Sequence, residues 1–455
     1  MAANRSSFTG KIGFVLAAAG SAVGLGNIWR FPYLAAKYGG GIFLLIYLIL
    51  ALTFGFTLMV AETAIGRKTG LSAIGAFKSL DKRFSFMGYI VALVPAIILP
   101  YYSVIGGWVM KYLFGFALGN AGNMAADDFF GNYIGSTLEP IGWFFLFIGL
   151  TALVVLLGVE KGIEKVSKIM MPVLVVLIIA ISGYTIFTMD GAVDGVLYLI
   201  TPDFSHFSVM TVVAALGQLF YSMSLAMGIM ITFGSYMKKE ISITKSAVQV
   251  GVFDSGVAFL AALMVIPAVF AFSGGNLSDT DLATSGPGLM FQTLPKVFNT
   301  MPGGNIIGVI FFIMVFFAAI TSSISLMETV VSIFHDKFKL NRKLCCLIVL
   351  GISLLLGIPS SLGFSAWSSF KILGMQILDF FDFASNNLLM PLIALVTSIF
   401  VGFVIKPKMI IEEVEITGEF KVKKFFSFII KYVAPVFIVL ILISSILNAF
   451  GVITI

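Results

Sequence analysis

Small and polar residues interrupt two long apolar stretches of the sequence. The first interruption is 20–27 (GSAVGLGN), and the second, midway through the uncharged stretch 204–237, contains Gln218, Ser222 and Ser224. Backbone that leaves a helix within a membrane exposes carbonyl and amide groups that hydrocarbon cannot satisfy. A cation could satisfy the carbonyls, and a carboxylate could satisfy the amides at a helix N-terminus. Close helix packing would explain either interruption alone, but two in corresponding positions predict a transporter site for a cation and a zwitterion.

An acidic residue and a group of hydroxyls lie in two later apolar stretches. Asp254 is either a functional carboxylate or a helix-end charge that reaches the cytoplasmic interface. Thr321 and Ser322 could simply bond back to their own helix, but hydroxyls and carbonyls are also the ligands that hard cations prefer. Beside a broken first helix, they predict a Na⁺ shell. Glu62, deep in the second predicted span, could accept hydrogen bonds from unwound backbone.

Two pairs of opposite charges lie at the ends of predicted spans. Arg30 follows the first interruption and Asp382 opens the tenth span, whereas Arg5 and Asp336 lie on the cytoplasmic side. Each pair could close a gate, or its members could be unrelated interface charges. Tyr102 lies well inside an uncharged run, where its hydroxyl could hydrogen-bond a substrate carboxylate.

The elements that position these residues are membrane helices. The chain of 455 residues is 59% hydrophobic and 11% charged, with a mean hydropathy of +1.07, whereas soluble domains have about 25% charged residues. A helix of about 20 apolar residues crosses the hydrocarbon core. Charge-free stretches of this kind occur eleven times, at 12–29, 38–61, 84–110, 140–159, 169–189, 204–237, 255–278, 297–327, 344–370, 383–405 and 432–455. We therefore expect an all-α polytopic membrane protein with eleven spans.

The distribution of charge predicts the orientation. With a cytoplasmic N-terminus, the inside loops hold 23 of the 28 Lys and Arg residues, as the positive-inside rule requires. The net charge of +6 therefore indicates a lipid bilayer as partner and no nucleic acid. Eleven crossings place the C-terminus outside the cell membrane. The first apolar run lacks a cleavage site and is expected to be a retained span.

The run 18–33 (AAGSAVGLGNIWRFPY) resembles the first-helix signature of the neurotransmitter:sodium symporter family. Gly39-Gly40-Gly41, the loop 286–295 and Thr321-Ser322-Ser323 are similar to further motifs of this family. The resemblance implies the five-plus-five inverted-repeat fold of the bacterial leucine transporter, with broken helices 1 and 6, and Na⁺-driven symport by alternating access. It implies one domain, 1–455, with a first repeat at about 8–190, a second at about 205–405 and an additional helix at about 425–452. The eleven-span count resembles the bacterial branch that transports tyrosine and tryptophan.

The resemblance also implies individual site residues. The substrate would contact Ser21, Ala22, Leu25, Gly26, Ile98, Tyr102, Tyr221, Ser222, Ser224, Met227, Ser322 and Leu326. Of two expected sodium sites, the first would use Ala22, Asn27, Ser222 and Asp254, and the second would use Gly20, Val23, Ala318, Thr321 and Ser322. Arg30 with Asp382 resembles the outer gate, and Arg5, Asp336 and Tyr236 resemble the inner gate.

Departures from the family pattern refine the expected function. Asp254 replaces the asparagine of many relatives, and Ala258 replaces the serine of chloride-dependent ones, which predicts chloride-independent transport. Gly24 occupies the position of the aspartate in monoamine transporters, so a substrate with its own carboxylate is expected. Met227 adapts to large apolar shapes, which favours a hydrophobic or aromatic amino acid. Ala226 replaces the glycine that is common in the sixth-helix break.

Other functions are less consistent with the sequence. An ion channel would need a continuous polar stripe or repeated filter loops. A membrane enzyme would need a catalytic constellation, yet His206 and His335 lie outside the predicted span cores. A proton-coupled amino acid transporter of the same architecture stays open as the alternative, and it would work without Na⁺.

Overall fold

The computed structural model describes residues 7–274 and 287–449, and helices form most of these ranges. Arg5 of the expected inner gate and Gly286 of the loop motif lie outside the described residues. Within the described residues, nine helices are long and apolar enough to cross a membrane. They are Gly41–Thr69, Lys82–Ala117, Leu138–Leu156, Val159–Thr188, Ile243–Phe272, Gly304–Phe338, Arg342–Leu362, Ile377–Val404 and Lys423–Leu447.

The first and sixth spans are broken, as expected from their composition. The first consists of Lys11–Ala22 and Gly26–Lys37, whose axes differ by 57°. The sixth consists of Val209–Ser222 and Ile229–Ser235, with 223–228 outside any helix. The long helices and the bent pair give ten candidate spans by length and composition. The predicted count of eleven requires the two short sixth-span helices to form one further span, and it is not confirmed.

Shorter helices and π-helical turns complete the described structure. Six π-helical turns widen five spans locally, two of them in Ile377–Val404, and a further one opens the outer segment that follows Pro287. Short helices between the spans are Ala73–Leu80, Ala121–Met124, Phe129–Gly135, Ala192–Ile200, Leu294–Thr300 and Lys406–Glu415.

The break in the sixth span depends on unusual backbone conformations. Ser224, Ala226 and Gly228 have φ values of 52°, 60° and 73°, and a left-handed conformation costs a residue with a side chain about 1–2 kcal/mol. Two hydrogen bonds offset this cost. The Ala226 amide donates to Glu62 Oε1 (2.8 Å), as expected for Glu62, and the Ser224 hydroxyl donates to the Ser21 carbonyl (2.9 Å). The break therefore forms with alanine at position 226.

Close backbone packing holds the broken spans in the centre of the protein. Gly66 of the second span leaves no room for a side chain against the Ile231 carbonyl, and Gly234 leaves none against the Thr63 carbonyl. The second span and the inner half of the sixth are thus in backbone contact. The helices Ser85–Ala117 and Gly304–Phe338 pack along each other and flank the two breaks. The unwound residues of both breaks consequently face a common central volume.

Candidate functional site

A small cavity of about 30 Å³ lies where the two breaks meet. Its lining residues are Ser21, Ala22, Gly24, Leu25, Gly26, Asn27, Ile98, Tyr102, Tyr221, Ser224, Met227, Ile229, Ser322 and Leu326. The structure thus brings together all of the expected substrate contacts except Ser222, which lies in the adjacent Asp254 cluster. Ile229 was not expected. It begins the inner half of the sixth span, and nothing in the sequence marks where that helix resumes.

Two residues of the cavity lining carry hydrogen-bonding groups suited to a carboxylate. The Leu25 amide donates to the Tyr102 hydroxyl (3.3 Å), and both groups are buried. A Cβ on Gly24 would lie 2.9 Å from Ser322 Oγ and 3.1 Å from the Tyr102 hydroxyl, so position 24 has no room for an acidic side chain. Amide and hydroxyl donors near the start of a half-helix are a favourable site for an anionic group.

Other residues of the lining are apolar. Ile98, Met227, Ile229 and Leu326 are each at most 5% exposed and supply aliphatic surface. The ring of Tyr221 covers the cavity on one side, and a Cβ on Gly26 would collide with this ring. A glycine at position 26 is therefore needed for Tyr221 to close over the site.

A buried carboxylate lies beside the first break. Asp254 is 0% exposed, and its Oδ1 accepts hydrogen bonds from Asn27 Nδ2 (2.7 Å) and Ser222 Oγ (2.9 Å). Its Oδ2 accepts a hydrogen bond from the Tyr47 hydroxyl (3.1 Å). All of these donors are neutral, so none of them balances the negative charge of the ionised carboxylate, and burial makes an unbalanced charge costly. A Na⁺ ion would balance this charge, and Asn27 and Ser222 would add oxygen ligands.

Tyr47 is a member of this cluster that sequence reasoning missed. It lies in the apolar run GIFLLIYLIL of the second span and is fully buried. An isolated tyrosine in such a run is indistinguishable from an interface residue by its sequence position. Only the packing of the second span against the seventh places its hydroxyl on Asp254.

The residues of the expected second sodium site lie between the first and eighth spans. Ser322 Oγ lies 3.4 Å from the Gly20 carbonyl oxygen and 3.2 Å from that of Val23. Thr321 Oγ1 donates to the carbonyls of Phe317 (2.8 Å) and Ala318 (3.2 Å) in its own helix. The Thr321 side chain also faces Gly20. Carbonyl and hydroxyl oxygens therefore converge here, and they form an oxygen-only donor set that suits Na⁺.

The expected outer gate residues face a second, larger cavity. This cavity of about 570 Å³ is lined by Arg30, Tyr221, Asp379 and Asp382, among others. The Arg30 guanidinium lies over the Tyr221 ring at 5.4 Å, and Asp382 Oδ1 accepts a hydrogen bond from Asn386 Nδ2 (2.7 Å). Tyr221 lines both cavities. In the part of the chain that the structure describes, Arg30 and Asp382 form no direct ion pair, and the gate stays a prediction.

The expected inner gate residues are held by partners that the sequence did not indicate. The Tyr236 hydroxyl donates to Glu328 Oε1 (2.7 Å), and Arg342, which is 28% exposed, forms an ion pair with the same buried carboxylate. Asp336 Oδ2 accepts a hydrogen bond from the Ser72 amide (2.7 Å). These contacts join the sixth, eighth and ninth spans on the side opposite the larger cavity.

Comparisons with known proteins find relatives along nearly the whole chain. A family model described as the sodium:neurotransmitter symporter family matches residues 5–120 and 136–452. The chain is 34% identical over 444 residues to the uncharacterized sodium-dependent transporter YhdH of Bacillus subtilis (strain 168), covering 96% of both chains. It is 33% identical over 457 residues to an uncharacterized sodium-dependent transporter of Haemophilus influenzae, covering 97% of this chain and 98% of the relative. A crystal structure of MhsT in complex with L-phenylalanine matches with a TM-score of 0.87 and 36% identity, covering 97% of this chain and 100% of that one.

Proposed function

Because the chain belongs to the sodium:neurotransmitter symporter family, we propose that it imports a neutral hydrophobic or aromatic amino acid together with Na⁺. The observation that carries this proposal is the cavity between the two breaks. Its lining combines the Leu25 amide and Tyr102 hydroxyl with aliphatic side chains. The chemistry of this lining suits an amino acid whose carboxylate is bound at the broken first helix and whose side chain is apolar, and the cavity would have to widen from about 30 Å³ to admit it.

The substrate class rests on the shape and charge of this cavity. No lining residue carries a formal charge, so acidic and basic side chains would be buried without a partner. The structural relative MhsT was crystallised with L-phenylalanine, which supports an aromatic or similarly large apolar side chain. The ammonium group would meet carbonyls of the two breaks around Ala22 and Tyr221 and the hydroxyl of Ser224.

The Asp254 cluster supports transport that depends on Na⁺ and not on chloride. In the proposed first sodium site, Asp254 supplies the negative charge beside the ion, and the substrate carboxylate adds a further ligand. In the second proposed site, Gly20, Val23, Ala318, Thr321 and Ser322 supply uncharged oxygens. Na⁺ binding would hold the breaks in the conformation that also receives the carboxylate, which couples the two cargoes.

Alternating access would expose this cavity to one side at a time. Tyr221 is proposed as the outer lid, with Arg30 and Asp382 approaching above it, and Tyr236 and Asp336 belong to the inner closure with Arg5. We further propose that the spans form two inverted repeats. The lysine and arginine distribution supports a cytoplasmic N-terminus and an extracellular C-terminus in the cell membrane.

Uptake into proteoliposomes tests the proposal. Radiolabelled L-phenylalanine should accumulate with an inward Na⁺ gradient and fail to accumulate when the gradient is collapsed with a Na⁺ ionophore. Unlabelled tyrosine, tryptophan and leucine should compete, whereas glutamate and lysine should not. Accumulation that follows a pH gradient without Na⁺ would instead support a proton-coupled transporter. Failure of every neutral amino acid to compete would overturn the substrate class.

A further inference from the structure

The loop between the ninth and tenth spans presents large apolar side chains to its surroundings. It covers 363–376 and joins Arg342–Leu362 to Ile377–Val404. Trp367, Phe370 and Leu373 are 46%, 57% and 77% exposed, and Lys371 between them is also exposed. These three apolar side chains are called the loop tip here. Exposed clusters of this kind in a protein mark a site of interaction.

A strained turn places Leu373 at the end of the loop tip. Ile372 and Met375 exchange two backbone hydrogen bonds of 3.0 Å, which leaves Leu373 and Gly374 as a two-residue turn. Both have positive φ, 52° and 79°. Asn-Gly is the favoured pair in such turns, and leucine is disfavoured in the left-handed conformation. Leucine here is thus unfavourable for the backbone and gains almost no packing from the protein, which points to packing against something else.

The other side of the loop is held firmly by the protein. The ring of Phe364 packs edge-on against the buried Trp108 at 5.8 Å, and the Trp367 amide donates to the Leu362 carbonyl (2.9 Å). The loop returns to the core at Ile377 and Leu378, which are both buried. Its apolar tip is therefore displayed from a fixed base.

The position of the loop relative to the spans identifies its surroundings. The helix Arg342–Leu362 has 21 residues, which at 1.5 Å per residue is about 31 Å and matches the hydrocarbon core. Residues that directly follow Leu362 therefore lie at the membrane surface. Leu347 and Leu355 of the same helix are 60% and 70% exposed, so the loop tip continues the lipid-facing surface of this span.

We propose that the loop tip inserts into the boundary between lipid headgroups and acyl chains, on the side of the protein that carries Arg30 and Asp382. Trp367 and Phe370 lie at the depth that aromatic side chains favour in membranes, and Leu373 reaches the acyl chains. Lys371 extends toward the lipid phosphates. Leucine at a turn position that suits asparagine is thus explained by burial in lipid.

Anchoring of this loop has a consequence for the outer cavity. The loop leads directly into Ile377–Asp382, and this helix carries Asp379 and Asp382 on the wall of the cavity. The bilayer thus fixes the depth of the start of the tenth span. This part of the span carries Asp382, the expected partner of Arg30. The lipid contact itself does not depend on which solute is transported.

Tryptophan fluorescence in lipid nanodiscs that hold one transporter each tests the proposal. The four tryptophans are Trp29, Trp108, Trp143 and Trp367, of which Trp29 and Trp108 are buried. In a Trp143→Phe background, the difference between spectra with and without Trp367→Phe isolates the signal of Trp367. Lipids brominated near the top of the acyl chain should quench most of this signal, and lipids brominated near the chain end should quench less of it.

Two variants complete the test. Leu373→Asn suits the turn and should fold, but it should reduce quenching of Trp367 by the shallow bromine label. Ser369→Asn, on the same loop, is the matched control and should leave the quenching unchanged. Equal access of aqueous iodide to Trp367 in detergent and in nanodiscs, with no effect of either brominated lipid, would overturn the proposal. Burial of Trp367 only when two copies share a nanodisc would overturn it in favour of a protein partner.

Discussion

Replacing Asp254 by asparagine isolates the charge of the proposed first sodium site. Asparagine has almost the same shape as aspartate, and its side-chain oxygen can still accept hydrogen bonds from Asn27 and Ser222 at the position of Oδ1. The amide nitrogen would take the place of Oδ2, and the Tyr47 hydroxyl would rotate to accept a hydrogen bond instead of donating one. The substitution thus removes one buried negative charge with little change in packing.

The size of the effect follows from electrostatics. Two unit charges about 4 Å apart interact by about 4 kcal/mol at an effective dielectric constant of about 20. The amide oxygen still ligates the ion and the site can relax, so we expect a loss of about 2 kcal/mol, or about thirtyfold weaker apparent affinity for Na⁺. Because chloride can supply the missing charge, it should restore part of this affinity in the variant and have no effect on the unaltered protein.

The assay is amino acid uptake as a function of Na⁺ concentration, with chloride or gluconate as the anion. Asp379→Asn is the matched control, because it removes a carboxylate that faces the outer cavity and lies away from the cluster. It should leave the Na⁺ dependence unchanged. If Asp254→Asn shows the same Na⁺ dependence as the unaltered protein and is indifferent to chloride, the assigned role of Asp254 is wrong.

Three further substitutions test the remaining parts of the site. Tyr102→Phe removes a hydroxyl that is expected to bind the substrate carboxylate. Because hydrogen bonds to charged groups contribute about 1.5–3 kcal/mol, KM for uptake should rise about tenfold or more. An unchanged KM would exclude that contact. Ser322→Ala removes the hydroxyl that faces the Gly20 and Val23 carbonyls. The Na⁺ concentration for half-maximal uptake should therefore rise, and chloride should have no effect. An unchanged Na⁺ dependence would refute the second sodium site. Gly26→Ala places a methyl group against the Tyr221 ring. In detergent, the variant should stay monodisperse but lose equilibrium binding of L-phenylalanine. Full binding would show that Tyr221 does not close over the site.

The two breaks could be predicted because their cause is local. Three glycines within seven residues of the first span, and serines with glutamine in the sixth, weaken a helix wherever it is placed. Asp254 was recognisable for a related reason, since a carboxylate in an apolar run requires a functional explanation. The structure agrees on both breaks and shows that Ala226 does not prevent the second one.

Other features depended on contacts between residues far apart in the chain. Tyr47 reaches Asp254 across 207 positions, and its own segment gives no sign of this. Glu328 and Arg342 lie in different spans, and only the packing of these spans shows that they form an ion pair. Spacing along one helix cannot indicate such pairs, because their distance is set by how the helices assemble.

A structure determined with Na⁺ and L-phenylalanine present would test the central claim most directly. We predict the ligand carboxylate at the Leu25 amide and the Tyr102 hydroxyl, with cation density beside Asp254 and both helices interrupted at 23–25 and 223–228. Continuous helices through these residues, or an amino acid found only in the outer cavity beside Arg30, would contradict it.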